Sequence, residues 1–459
     1  VAEEAAELVQ HGEEGSEQAS RRGAWSMNRG LAAGDAARDA AAGARTVAGR
    51  TAPALTGVLL VVVAQLLGAS LALGADCGGG RTCRCGDRVV ADYILPADLG
   101  PCEGDGLRLR RAVVLDGNGH VVRGRGTRGS VGVQVDGPAS GSRIVNLGVS
   151  GFERGLRLVK AERVRVEAVA AHDNGDFQAR VGYGIDLAGG ASRNVLSRVQ
   201  VFRNADEGIH VGSGAHENRI ADAEVHDNGR ENVYFLRNHG NVLARSRLWG
   251  APTAVYVKHA ARTVLEGNRI AGGNVHVRGD SRDTVLVDAV LENGSLVLQR
   301  YRDKDAKIGV RAPTGTVVRG GRIAGDGACL RVEGATATTL DDVALDCPRP
   351  LTIDDATVVT RGPRPGAVGC SGSGRVERAR RGEVRFLDGE GRPLPGIELR
   401  TTDGAAIGIT DARGIHAGIV VESVFTCPEG RTEEAEVVLQ REGSSRRLPA
   451  RELRGDIRW

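Results

Sequence analysis

Aromatic side chains are scarce in this sequence, with 6 Phe, 5 Tyr and 3 Trp among 459 residues. A conventional globular core draws much of its burial from such rings, so their scarcity argues for short strands carrying small side chains. Lysine is almost missing, at Lys160, Lys258, Lys304 and Lys307 only, and Met27 is the one methionine. Neither charge sign dominates. With 61 basic and 58 acidic residues the net charge is +3, and no nucleic-acid-binding patch stands out. No Gly-X-Y period supports collagen, and 41% hydrophobic content is too rich for a disordered chain. What the sequence does have is glycine, 67 residues, roughly twice the usual share.

The length fits two or three domains. Residues 1–54 form an extension rich in Ala, Gly and Arg, without a sustained apolar period. From Thr51 to Ala75 there are 25 consecutive uncharged residues. Residues 55–75 read as a signal peptide, with Ala72-Leu73-Gly74 offering small residues for cleavage, or as a membrane anchor that exceeds the ~20 residues needed to span a bilayer. All eight cysteines follow this segment. An even count behind an export segment points to disulfides in an oxidising compartment, so the expected location is secreted, periplasmic or cell-surface. Cys77, Cys83, Cys85 and Cys102 mark 76–106 as a stapled N-terminal cap. Zinc is the alternative, but the paired CxxC spacing of a structural zinc site is missing. The spacing leaves the disulfide pairing open.

Internal repetition dominates the rest. Val133, Leu156, Ile185, Ile209, Val233, Val255, Val275, Leu296 and Leu330 each open an alternating segment, and the residue two further on is apolar every time. A second family, ending in Val201, Val225, Leu248, Ile270, Leu291, Ile323 and Leu345, runs in step with it. Alternation means strands with one face inside. Units of about 22 residues that cannot bury their own inner face must stack on copies of themselves. Asn174, Asn204 and Asn228 recur at one turn position and are expected to stack as hydrogen-bonded ladders.

This pattern, covering about 107–347 and opening with Leu115-Asp116-Gly117-Asn118-Gly119-His120, resembles the right-handed parallel β-helix superfamily of pectate lyases, polygalacturonases and uronate epimerases. The implied fold is all-β, a right-handed parallel β-helix solenoid of roughly ten coils. Residues 348–381, punctuated by Pro348, Pro350, Pro363 and Pro365, read as a linker. From Gly382 to 459 the chain resembles a transthyretin-like or carboxypeptidase-regulatory β-sandwich, a small accessory domain that Cys370 and Cys427 would tie to the linker.

Stacking turns the sequence into columns about 4.8 Å per step. One outward column reads Gln134, Arg157, Asp186, His210, Tyr234, Tyr256, His276 and Val297. Beside it run Leu236, Lys258, Arg278 and Gln299, then Arg237, His259 and Arg300. Glu207 is expected under Glu231, and Asp206 under Arg230. Seven of the ten histidines fall between His172 and His276. Like charges opposed on neighbouring strands are normally avoided, so Glu207 with Glu231 and Lys258 with Arg278 call for counter-charges. Calcium is the candidate for the carboxylates. An acidic polysaccharide is the candidate for the bases.

Chemistry at the C5 of a uronate needs a neutralised carboxylate, a base and an acid. Asp186, His210, Tyr234, Glu207, Glu231 and His276 are the candidate catalytic set. Tyr183, Tyr256, Arg237, Lys258, His259, Arg278 and Arg300 are the candidate binding set. Tyr183-Gly184-Ile185-Asp186 resembles the start of the mannuronan epimerase motif, but Leu187 and Ala188 replace its Pro and His. Glu207-Gly208-Ile209-His210 resembles the polygalacturonase Gly-His-Gly segment, with Glu207 in place of a His. The expectation is therefore an exported protein, most simply a monomer, that binds or acts on an acidic polysaccharide as a lyase or C5-epimerase. It touches no nucleic acid, and a membrane only through an uncleaved leader. The alternative is a non-catalytic envelope or glycan-binding platform. A third reading, by fold analogy alone, is a metal-delivery helper similar to the β-helix protein of nitrous-oxide reductase maturation.

Overall fold

The computed structural model describes residues 74–176, 178–302, 309–363 and 365–459. The extension 1–54 and the leader up to residue 73 lie outside the described residues. Among those described, no helix is long and apolar enough to cross a membrane. Asp76–Phe177 together with Gly182–Trp459 make one compact unit.

The alternating segments are strands, and each pairs in parallel with its counterpart one coil away. Three sheets result, of 14, 11 and 16 strands. In the first sheet Val133, Leu156, Ile185, Ile209, Val233, Val255, Val275, Leu296 and Leu330 are successive register partners. In the second, Val201, Val225, Leu248, Ile270, Leu291, Ile323 and Leu345 are likewise stacked. All but Leu345 are buried, and together they fill one continuous core. The chain is a parallel β-solenoid.

It winds for about 13 turns rather than ten. The extra turns are at the ends. In 76–106 the short strands Asp76–Cys77, Arg88–Val89 and Leu99–Cys102 already join the sheets, held by Cys77–Cys83 and Cys85–Cys102 disulfides. Residues 348–381 are not a linker. Strands Arg349–Asp354, Ala356–Arg361 and Val368–Cys370 continue the stack. Pro350 sits second in its strand, a position where a missing N–H is tolerated, so the proline count there misled.

The C-terminal region grows directly from the last coil. Strand Gly374–Leu387 pairs in parallel with Ala356–Arg361 at its start and antiparallel with Ile415–Cys427 along most of its length. Its far end supplies Val384 and Phe386 to a second, smaller core, which a four-stranded antiparallel sheet shares. Cys370–Cys427 bridges the solenoid's last strand to the partner of this long strand, and all eight cysteines are paired.

Two asparagine ladders line the turns. Asn174 Nδ2 donates to Asn204 Oδ1 at 2.9 Å, and Asn204 Nδ2 to Asn228 Oδ1 at 3.0 Å. The second ladder runs Asn194, Asn218, Asn241. Glycine makes room for the first one. A Cβ on Gly208 would stand 2.5 Å from Asn228 Nδ2, and one on Gly184 2.7 Å from Asn204 Nδ2. Several coil corners instead place charged residues in the left-handed region, among them Asp173, Arg203, Asp222 and Arg245 with φ near +50°. Arg203 reaches Asp173 at 2.8 Å and Arg245 reaches Asp222 at 2.8 Å across neighbouring coils.

Candidate functional site

The strands of the first sheet present alternate side chains away from the core, and the outward column is present as read. Gln134, Arg157, Asp186, His210, Tyr234, Tyr256, His276 and Val297 are consecutive register partners. The rings contact one another in sequence. Centroids lie 4.7 Å apart for Tyr183 and His210, 5.9 Å for His210 and Tyr234, 5.1 Å for Tyr234 and Tyr256, and 5.7 Å for Tyr256 and His276.

At the lower end His210 Nδ1 lies 3.0 Å from Asp186 Oδ1. Asp186 is buried, and burial alone would raise its pKa. The hydrogen bond from His210, with Arg157 at 3.0 Å and Arg154 at 3.7 Å, outweighs that and holds the carboxylate ionised. This contact orients the His210 ring, with Nδ1 held against Asp186 and Nε2 on the opposite side of the ring. Burial, with the charges of Glu207, Asp206 and Asp186, pushes the Tyr183 phenol up. Burial, with Tyr256 and Glu231, does the same to Tyr234, so both remain protonated. His276 is driven down to about 4 by burial and by Arg278 and Arg331, so it is neutral near pH 7.

Beside this column the Asp206, Glu207 and Glu231 carboxylates lie within 4.8 Å of one another, all buried. Arg230 stands 3.3 Å from both Asp206 and Glu231. Burial would discharge Arg230, but the three carboxylates hold it charged. Glu207 is pushed well above the ordinary carboxylate range by burial, then by Asp206 and Glu231. Its Oε2 finds no hydrogen-bond partner among the described residues. The cluster therefore already contains a cation, the Arg230 guanidinium. This is a poor fit to calcium, which gathers six or more ionised or carbonyl oxygens.

The basic residues of the candidate binding set do not all lie together. Leu236, Lys258, Arg278 and Gln299 share a column, with Lys258 and Arg278 adjacent. Both cations lie over the ring of Tyr301, at 4.3 Å for Lys258 Nζ and 5.4 Å for Arg278. Arg278 also donates to the Tyr256 hydroxyl at 3.2 Å. Arg300 is held away by Asp354 at 2.6 Å and Asp355 at 3.1 Å. His259 is paired with Asp280 at 2.5 Å, and Arg237 is exposed at the coil corner. Sequence reasoning missed Tyr301, Arg154 and Asp280. One signal for Tyr301 was there: four of only five tyrosines, Tyr183, Tyr234, Tyr256 and Tyr301, fall on this face.

Residues 113–293, less than half of the chain, match the sequence pattern of a family described as periplasmic copper-binding protein (NosD). No curated protein matches. Among solved structures, the periplasmic alginate epimerase AlgG is similar at 16% identity, over 56% of this chain and 67% of that one, with a TM-score of 0.41. An alginate lyase from Paenibacillus sp. str. FPU-7 is similar at 17% identity over 59% of this chain and 96% of its own, TM-score 0.37. The Azotobacter vinelandii mannuronan C-5 epimerase AlgE4 A-module is similar at 15% identity over 65% and 79%, TM-score 0.34.

Proposed function

We propose that the protein is exported and acts on an acidic polysaccharide laid along the first sheet, by proton transfer at the C5 of a uronate. The observation that carries this is the Asp186–His210 contact of 3.0 Å, at one end of a ring-lined column whose strands two and three steps further on carry Lys258 and Arg278. Asp186 is a positioning residue that holds His210, and His210 Nε2 removes the C5 proton. Lys258 and Arg278 stabilise the negative charge that gathers on the uronate carboxylate as that bond breaks. Tyr234 is the proton donor. If its proton goes to the glycosidic oxygen as the C4–O bond breaks, an unsaturated sugar results. If a proton returns to C5 from the opposite face, the sugar is epimerised. Glu207 and Glu231 set the charge beside the donor, and Tyr183, Tyr256 and His276 extend the ring-lined track. The small C-terminal module serves as an accessory β-sandwich.

The family similarity raises copper as a cargo, and the described residues fit it poorly. All eight cysteines are locked in disulfides, and among the described residues the one group of three or more close ligand side chains is all-carboxylate, with Arg230 beside it. Copper favours imidazole and sulfur donors. The test is incubation with polymannuronate, polyguluronate and polygalacturonate in deuterated water. Unsaturated product or deuterium at C5, lost in His210→Ala, is expected. Saturable glycan binding with neither product would make this face a platform without catalysis.

A further inference from the structure

A second ring ladder stands on the other long face of the solenoid. His172, Phe202, His226 and Trp249 are register partners in the 11-stranded sheet. Their rings stack nearly parallel, with centroids 4.8, 5.1 and 4.2 Å apart and interplanar angles of 6°, 2° and 6°. The ladder then stops. Opposite Trp249 on the next strand is Ala271, and beyond it Glu292. The missing ring leaves a cavity of about 150 Å³ against the indole, lined by Arg247, Trp249, Arg269, Ala271 and Glu292 among others. The space is a half-open slot on the surface rather than an enclosed cavity.

The charges at its edge select the occupant. Arg247 and Arg269 are direct register partners, two exposed guanidinium groups one strand step apart that together offer a place for an anion. Arg247 has a loose contact with Glu224 at 3.8 Å, and no ion pair to Arg269 is present among the described residues. Glu292, on the other edge, is a hydroxyl acceptor. A flat apolar face, two guanidinium groups and one carboxylate match a pyranose ring carrying a carboxylate. The ring face packs on the indole, its acid group bridges the arginines, and a hydroxyl donates to Glu292.

We infer that this step of the ladder is a binding subsite for a single uronate residue, on a different sheet from the proton-transfer site. It shares the ligand class of the proposed function but none of its residues. An acidic chain held here is anchored while the first sheet works on another stretch of it, which raises its effective concentration.

The test is titration of the full chain with a defined oligogalacturonate, read by calorimetry, for wild type and three variants. Ala271→Phe completes the ladder and fills the slot without removing a contact. Arg269→Gln removes one charge, and His210→Ala leaves this face alone. The expected result is at least about tenfold weaker binding at one class of sites in Ala271→Phe and in Arg269→Gln, with that class intact in His210→Ala. Melting curves on Ala271→Phe confirm that the solenoid remains folded. Unchanged affinity in both Ala271→Phe and Arg269→Gln overturns the inference. Equal binding of a neutral oligosaccharide, or preference for a flat aromatic acid, overturns the uronate assignment. Turnover that persists while this binding is lost leaves the proton-transfer reading standing, and the converse separates the two in the other direction.

Discussion

Replacing Glu207 with Gln tests the electrostatics of the site without any substrate. In the folded chain the Glu207 pKa lies well above its ordinary 4.5, because burial and the neighbouring Asp206 and Glu231 oppose ionisation. The folded state thus holds a proton that the unfolded chain releases. The stability tied to that proton is full below about pH 4.5 and is lost as the pH rises towards and through the folded value. The loss is about 1.4 kcal/mol for each pH unit in that window. Glutamine cannot titrate, so Glu207→Gln escapes the slope. Over the range in which only the unfolded chain ionises this group, the variant should gain steadily on wild type as the pH rises, whatever constant offset the amide introduces. Urea denaturation of both proteins across this range, followed by circular dichroism, measures the difference of slopes. Because Asp206 and Glu231 share the field, the apparent titration belongs to the cluster. Parallel stability curves would refute the reasoning. A variant that loses ground as the pH rises would show instead that an ionised Glu207 holds a cation.

Other outcomes follow from single contacts. Asn204→Ala removes a fully buried amide that links Asn174 and Asn228 and donates to the Ala171 carbonyl, and orphaning those groups should cost about 3–5 kcal/mol in a thermal or urea melt. Asp186→Asn leaves His210 without its anionic partner, so turnover on a uronide should fall ~100-fold or more with an altered pH–rate profile, and an unshifted profile would remove Asp186 from its positioning role. Tyr301→Leu should destabilise by about 1–2 kcal/mol in a thermal or urea melt through loss of the ring under Lys258 and Arg278, and an unchanged melt would remove that contact from the site's support.

The stacking of the solenoid was legible because it depends on local alternation with a steady period. Once Ile185, Ile209 and Val233 are aligned, Asp186, His210 and Tyr234 have no choice but to follow them outward. What escaped sequence reasoning breaks the period. Tyr301 leaves the repeat after Arg300 and is joined to Lys258 and Arg278 by a contact that no register supplies. Arg300 finds Asp354 across 54 residues, in a segment whose prolines disguised two further coils. The two-residue strands of the cap are too short for alternation to show at all. The Trp249 slot was invisible for another reason. It is defined by Ala271, a side chain too small to attract notice, and by what that smallness leaves open.

The left-handed corners have a mechanical consequence. A glycine at Arg203 or Arg245 would relieve roughly 1 kcal/mol or more of backbone strain, yet the chain keeps a long cation at each. Those cations rivet one turn to the next from outside, through water-exposed carboxylates, while the amide ladders and aliphatic spine bind the same turns from within. Brine loosens the rivets and spares the spine, so ionic strength alone would separate the two layers of cohesion and leave a tube that is softer to bending but still wound.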